Sequence, residues 1–115
     1  MKIFILKLLS LLVCIITIIT GWVTFFLNPG IVYNNKDINS GNKIYCFQCR
    51  FQYPRVRRTM KHCEKCGVCY FGRDHHCDVF GKCVAKNNMK LFITFNISIC
   101  CLFIINFVYI PLMMI

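Results

Sequence analysis

The sequence predicts an α-helical integral membrane protein in which a small, loop-rich, cysteine-rich domain lies between two transmembrane helices. Three observations predict it. Ile3–Leu27 and Leu91–Ile115 are two long apolar tracts. The polar stretch between them has almost no aliphatic core of its own. All three histidines and seven of the ten cysteines fall between Cys46 and Cys83, in the pattern C-x2-C-x12-H-C-x2-C-x2-C-x4-D-H-H-C-x5-C.

The first element is a helix over residues 3–27. Leu8–Leu27 carries no charge and is preceded by Lys2 and Lys7, and about 20 such residues span a bilayer core as a helix. A secretory signal peptide is the rival reading. It is disfavoured because the apolar run exceeds the usual h-region of about 7–15 residues, and no small-x-small cleavage site precedes Asn28. Asn28-Pro29-Gly30 ends the helix, since Pro and Gly stop it at the water interface. Residues 28–42, polar and rich in Asn, read as a juxtamembrane linker. The cysteine-rich domain follows over 43–90, with turns at Gly67, Gly72 and Gly81 and no helical periodicity before about Lys86. From Leu91 to Ile115 the chain is again uncharged, a second helix interrupted by Asn96, Ser98 and Asn106, which face protein or are tolerated polar positions. Its ending on Met113-Met114-Ile115, with no polar flank, is the mark of a shortened chain. Cys14, Cys100 and Cys101 read as small apolar filler within the helices.

A water-soluble module of about 60 residues without a core needs metals or disulfides to fold. The C-x2-C pairs and interleaved histidines have metal-ligand spacing, which predicts zinc. Two closed tetrahedral sites take eight donors, and the window holds ten. The surplus is one Cys and one His beside an Asp. The formal net charge of +10 falls to about +8 when six thiolates bind two Zn²⁺. Eleven Lys and Arg lie between Lys43 and Lys90 against Glu64, Asp74 and Asp78. That excess follows the positive-inside rule and sets the domain in the cytosol, where thiols stay reduced. The same charges suit anionic lipid headgroups or a phosphate-bearing ligand. No basic helix is available to enter a nucleic-acid groove, so nucleic acid is not an expected partner.

Cys46/Cys49 and Cys63/Cys66 are C-x2-C pairs, and Cys66-x2-Cys69 overlaps the second, so spacing alone leaves open which metal takes which sulfur. Adjacent residues in extended chain point to opposite sides. In Asp74-His75-His76-Cys77, His75 and Cys77 therefore share one face while His76 points the other way, toward a metal. A His beside a thiol can take its proton, and a carboxylate can hold the imidazole in the right tautomer. Zn²⁺, a charged His and Arg73 nearby would all favour the reactive thiolate.

Residues 46–92 resemble the cysteine-rich domain of the DHHC protein S-acyltransferases (palmitoyltransferases). The resemblance rests on Cys46, Cys49, Pro54, His62, Cys63, Cys66, Cys69, Asp74-His75-His76-Cys77, Cys83, Val84, Asn88 and Phe92. Asn28-Pro29-Gly30 is similar to that family's Asp-Pro-Gly motif, and the order of helix, Pro-Gly, cysteine-rich module and helix is similar to its second and third spans. The resemblance implies that Cys46, Cys49, His62 and Cys69 hold one structural zinc and that Cys63, Cys66, His76 and Cys83 hold the other. It implies Cys77 as the nucleophile toward palmitoyl-CoA or another long-chain acyl-CoA, His75 as its base and Asp74 as the orienting carboxylate. The partners it implies are acyl-CoA, cysteine-bearing protein substrates and the lipid bilayer, in the endoplasmic reticulum or Golgi membrane with the domain facing the cytosol.

The chain also departs from that family. Pro-Trp and a polar pair usually follow the reactive cysteine; here the chain reads Asp78-Val79-Phe80-Gly81-Lys82, and Asp78 sets a negative charge beside the proposed thiolate. The stretch between Cys49 and His62 is about three residues longer than the common form, a tolerable loop insertion. The family normally has at least four membrane helices, which makes this chain a fragment or a degenerate relative. Two non-catalytic or different-class readings stand beside the transferase: a membrane-anchored zinc module that binds a protein or lipid partner, and a RING-type ligase, whose ligand order the H-C and H-H-C adjacencies do not match.

Overall fold

In the computed structural model, residues 1–33, 43–54 and 60–115 are described. They divide into two compact units, Met1–Phe26 with Lys90–Ile115, and Leu27–Met89.

The first unit is a helix pair. Helix α1 (Lys2–Phe26) is about 38 Å long at 1.5 Å per residue, against a hydrocarbon thickness of about 30 Å. The second run comprises α2 (Met89–Ile104), a π-helical turn (Ile105–Tyr109) and α3 (Ile110–Met114). Both runs are long and apolar enough to cross a membrane. Their burial pattern is inverted relative to a water-soluble helix. The buried side chains of α1 are Thr17, Thr20 and Thr24, while Leu8, Leu12, Ile15, Ile19 and Trp22 are exposed. The threonine hydroxyls donate to the carbonyls of Val13, Ile16 and Thr20 at 2.7–2.8 Å, so the helix satisfies its own polar atoms without water. Small residues bring the helices close: a Cβ on Gly21 would stand 2.9 Å from the Phe95 ring.

The three polar residues of the second run take different roles. Ser98 is buried and bonds the Phe95 carbonyl at 2.8 Å. Asn106 donates to Ser10 Oγ at 2.9 Å, across the pair. Asn96 is exposed and bonds only up its own helix in the contacts described, to Phe92 O. The π turn closes with the Ile110 N–H donating to the Ile105 carbonyl. It ends two residues before Pro111, which has no N–H to donate and whose ring crowds the carbonyl four residues back.

The second unit is three antiparallel hairpins in succession. Strand β1 (Lys43–Cys46) pairs with β2 (Phe51–Pro54), β3 (Met60–Cys63) with β4 (Val68–Phe71), and β5 (His75–Cys77) with β6 (Lys82–Val84). Each turns over four residues, closing Cys46 on Phe51, Cys63 on Val68 and Cys77 on Lys82. The residue before the second strand is left-handed in every case: Arg50 at φ 56°, Gly67 at 68° and Gly81 at 62°. Glycine suits that conformation at no steric cost, and Arg50 accepts it within a turn closed by its N–H to the Cys46 carbonyl at 2.8 Å.

The buried apolar cluster of this unit is small, being Cys63, Tyr70, Cys83 and Ala85 with Ile31, Cys66 and Val68 against it. Among the described residues Met60 and Val84 are also buried. The linker reading needs adjustment at its start. Asn28 Oδ1 accepts the N–H groups of Gly30 and Ile31 at 2.9 and 3.0 Å, a turn its side chain builds locally. The segment then joins β4, with Val32 N donating to Cys69 O and Phe71 N to Gly30 O, both at 2.9 Å. Residues 34–42, the rest of the expected linker, and 55–59, within the expected insertion, lie outside the described residues.

Asn88, fully buried, links β6 to the start of α2: Oδ1 accepts the Ala85 N–H at 2.8 Å and Nδ2 donates to the Cys83 carbonyl at 3.1 Å. Asn88→Ala strands both backbone groups. We expect the unit to lose about 1–3 kcal/mol, measured by denaturant unfolding of the full chain in detergent.

Candidate metal centres and the cysteine beside them

The hairpins bring the predicted donors into two clusters. Cys46, Cys49, His62 and Cys69 form one, and Cys63, Cys66, His76 and Cys83 the other, with all ligand atoms of a cluster within 4.8 Å of one another. In the first, His62 Nδ1 lies 3.2 Å from Cys49 Sγ, 3.6 Å from Cys46 Sγ and 3.7 Å from Cys69 Sγ. In the second, His76 Nδ1 lies 3.2 Å from Cys66, 3.6 Å from Cys63 and 3.8 Å from Cys83. The Cys49–Cys69 and Cys66–Cys83 sulfurs are 3.6 and 3.8 Å apart. A zinc with bonds of about 2.3 Å to sulfur and about 2.0–2.1 Å to nitrogen has tetrahedral edges of roughly 3.6 Å (N to S) and 3.8 Å (S to S). The donor set therefore fits Zn²⁺ in both identity and spacing.

Protonation leads to the same fit. Burial pushes the Cys63 thiol up, but hydrogen bonds from the Cys66 N–H, Cys83, Cys66 and His76 outweigh it and bring Cys63 down to about 6. Cys83 in the same cluster is pushed up to about 12, by burial first and then by its sulfur neighbours, against the opposing pull of Arg73. In the other cluster Cys46 is lowered while burial raises Cys49 and Cys69. Crowded thiols cannot all ionise together. A dication removes that conflict, because it binds all of them as thiolates.

The clusters follow a relay along the chain. Each takes a C-x2-C pair from the turn of one hairpin and a cross-strand His–Cys pair from the next. His62 pairs with Cys69 in register, and His76 with Cys83. The third hairpin repeats the second: His62-Cys63-x3-Gly67-x-Cys69 becomes His76-Cys77-x3-Gly81-x-Cys83. Cys77 thus holds the turn position of Cys63. Phe80 stands where Cys66 would be, and the chain passes into α2 rather than a fourth hairpin. Cys77 is half-buried and belongs to neither cluster. This repeat was readable in the sequence, but comparison of C-x2-C units alone misses it because the third unit has Phe in place of Cys.

Residues 75–77 form a strand, so His75 and Cys77 share a face and His76 takes the opposite one. His75 Nδ1 lies 2.8 Å from Asp74 Oδ2. Arg73, expected to act on Cys77, instead donates from Nε to Cys83 Sγ at 3.3 Å and from Nη2 to Cys63 Sγ at 3.7 Å. It offsets charge on the second cluster. The Asp78 carboxylate is met by Lys65 Nζ at 2.7 Å, and that ammonium holds it below the usual carboxylate range. Sequence reading also missed Lys82. It is the cross-strand partner of Cys77, donates to the Leu27 carbonyl at 2.8 Å, and is lowered from the usual lysine range by burial.

The DHHC palmitoyltransferase family model matches residues 38–115. Palmitoyltransferase ZDHHC18-B of Danio rerio is 43% identical over 56 residues, covering 48% of this chain and 13% of the relative. Palmitoyltransferase PFA3 of Eremothecium gossypii is 39% identical over 57 residues, covering 50% of this chain and 17% of the relative. Palmitoyltransferase ZDHHC9 of Bos taurus is 38% identical over 86 residues, covering 67% and 23% respectively. The chain belongs to the DHHC palmitoyltransferase family. It spans less than a quarter of the length of these relatives.

Metal analysis separates the clusters from the cysteine beside them. We expect two zinc ions per chain, retained in Cys77→Ser and reduced in Cys63→Ser, measured by elemental analysis of purified protein.

Proposed function

We propose that this chain carries the acyl-transfer centre of a protein S-palmitoyltransferase, with Cys77 as the residue that holds the acyl group. The supporting observation is the hydrogen-bonded Asp74–His75 pair on the strand that also bears Cys77, a thiol outside both donor clusters. Cys46, Cys49, His62 and Cys69 would hold one zinc and Cys63, Cys66, His76 and Cys83 the other, each ion supplying a structural clamp.

With Nδ1–H directed at Asp74, the His75 Nε2 carries the lone pair and takes the Cys77 proton. The thiolate adds to the thioester carbonyl of a long-chain acyl-CoA. The bond from carbonyl carbon to CoA sulfur breaks, and CoA leaves as a thiolate that recovers the proton through His75. His75 then takes the proton of a substrate-protein thiol, whose sulfur attacks the acyl-Cys77 carbonyl; the bond from that carbon to Cys77 Sγ breaks, and Cys77 leaves as a thiolate that recovers the proton from His75. Asp74 holds the ring and stabilises the imidazolium formed in each half-reaction.

The helix pair is read as membrane-spanning. Its exposed apolar faces and self-satisfied threonines support that. The domain boundaries in this reading are the two helical spans and, between them, a domain continuous from Leu27 to Met89. Its basic excess favours the cytosolic face of an endomembrane, the endoplasmic reticulum or Golgi, and suits the phosphates of CoA.

Purified full chain incubated with a clickable palmitoyl-CoA is expected to acquire hydroxylamine-sensitive label that is absent in Cys77→Ser. His75→Ala is expected to slow labelling by about 100-fold or more. Equal labelling of wild type and Cys77→Ser refutes the nucleophile. Two bound zincs with no label in any form would favour a membrane-anchored zinc module that binds a protein or lipid partner.

A further inference from the structure

Both cluster histidines face their sulfurs through Nδ1, which leaves each Nε2 directed away from the donors. The Nε2 of His76, a largely buried side chain, lies 3.6 Å from Asp78 Oδ1. The same carboxylate oxygen is 2.7 Å from Lys65 Nζ. Lys65 lies in the turn between Cys63 and Cys66, two donors of the same cluster, and Asp78 lies in the next turn, two residues past His76. The three groups thus run from the donor set out to the surface and back to the donor set. Among the described residues His62 has no carboxylate in that role, although Glu64 holds the sequence position equivalent to Asp78.

We propose that Asp78, held by Lys65, is a positioning residue of the second metal centre. On closing from 3.6 Å to hydrogen-bond distance, the carboxylate accepts the Nε2–H of His76, which fixes the tautomer whose Nδ1 lone pair faces Cys63, Cys66 and Cys83. A histidine ligand whose other nitrogen donates to a carboxylate is a better oriented and more basic ligand. Metal on Nδ1 in turn polarises the Nε2–H and tightens its bond to Asp78. Lys65 keeps the carboxylate from turning into solvent and joins the turns of the second and third hairpins. An exposed Lys–Asp pair alone contributes little; its consequence here comes through His76. The residue that interrupts the family's usual Pro-Trp thereby gains a role directed at the metal rather than at Cys77.

The inference rests on the zinc reading of the clusters and is independent of acyl transfer. Purified full chain in detergent, carrying two zincs, is titrated with a chelator of known zinc affinity. Asp78→Ala is expected to weaken one of the two sites about tenfold or more and to leave the other unchanged. Lys65→Met should weaken the same site less, and Asp78→Glu should restore it. In a ¹⁵N-histidine spectrum, the Nε2 resonance of His76 alone should move in Asp78→Ala. Unchanged affinity at both sites, or equal weakening of both, overturns the proposal. A wild-type chain that binds no zinc overturns this proposal and the zinc reading together, while loss of Cys77 labelling with normal zinc binding bears on the transferase reading alone.

Discussion

The interlock of donors between successive hairpins is the constraint on which the rest of the second unit depends. Each hairpin has strands of three or four residues, and an isolated two-stranded hairpin is marginal in water. Among the described residues the buried apolar cluster is small and is itself made partly of donor cysteines. Zinc bound at such a site would contribute on the order of 10–16 kcal/mol. The hydrogen bonds of Asn28, of Asn88 and of Gly30 and Val32 to β4 fix the two ends of the hairpin unit.

The same relay accounts for the spare thiol. Every C-x2-C turn hands its two sulfurs to a cluster completed by the next hairpin, so the last turn in the series has no recipient. Cys77 stands at that last turn, with Phe80 in the place of its companion cysteine. Its place outside both donor clusters is therefore a consequence of where the series stops. Charge around it is partitioned accordingly. Arg73 serves Cys63 and Cys83, Lys65 serves Asp78, and Lys82 is the cation placed directly across the strand from Cys77.

The two units bury different kinds of side chain. In the helix pair, Thr17, Thr20, Thr24 and Ser98 are buried and bond along their own helices, Asn106 bonds across to Ser10, and many large apolar residues are exposed. In the hairpin unit, the most deeply buried groups are thiols, one alanine, one valine, one tyrosine and one asparagine. Hydrophobic burial organises neither unit in the way it organises a water-soluble core. Packing of small residues and internal hydrogen bonds serve the helix pair, and the donor clusters serve the hairpins.

Much of this was legible in the chain. Two long uncharged apolar tracts correspond to two helical runs, each long and apolar enough to cross a membrane. Ten donors in one window, against eight coordination positions, imply a surplus, and the alternation of residues 75–77 sets His75 and Cys77 apart from His76. What single-residue reading could not supply was the destination of long side chains. Arg73 had several thiols within sequence reach, and only the fold brought Cys63 and Cys83 to it. The negative charge of Asp78 was visible, but Lys65 and His76 come to it through two different turns. Lys82 meets Cys77 only through the register of a hairpin. Local pattern depends on periodicity and backbone hydrogen bonding, which the sequence encodes residue by residue, whereas charge partners are chosen by contacts between separate turns, which exist only once the hairpins are stacked.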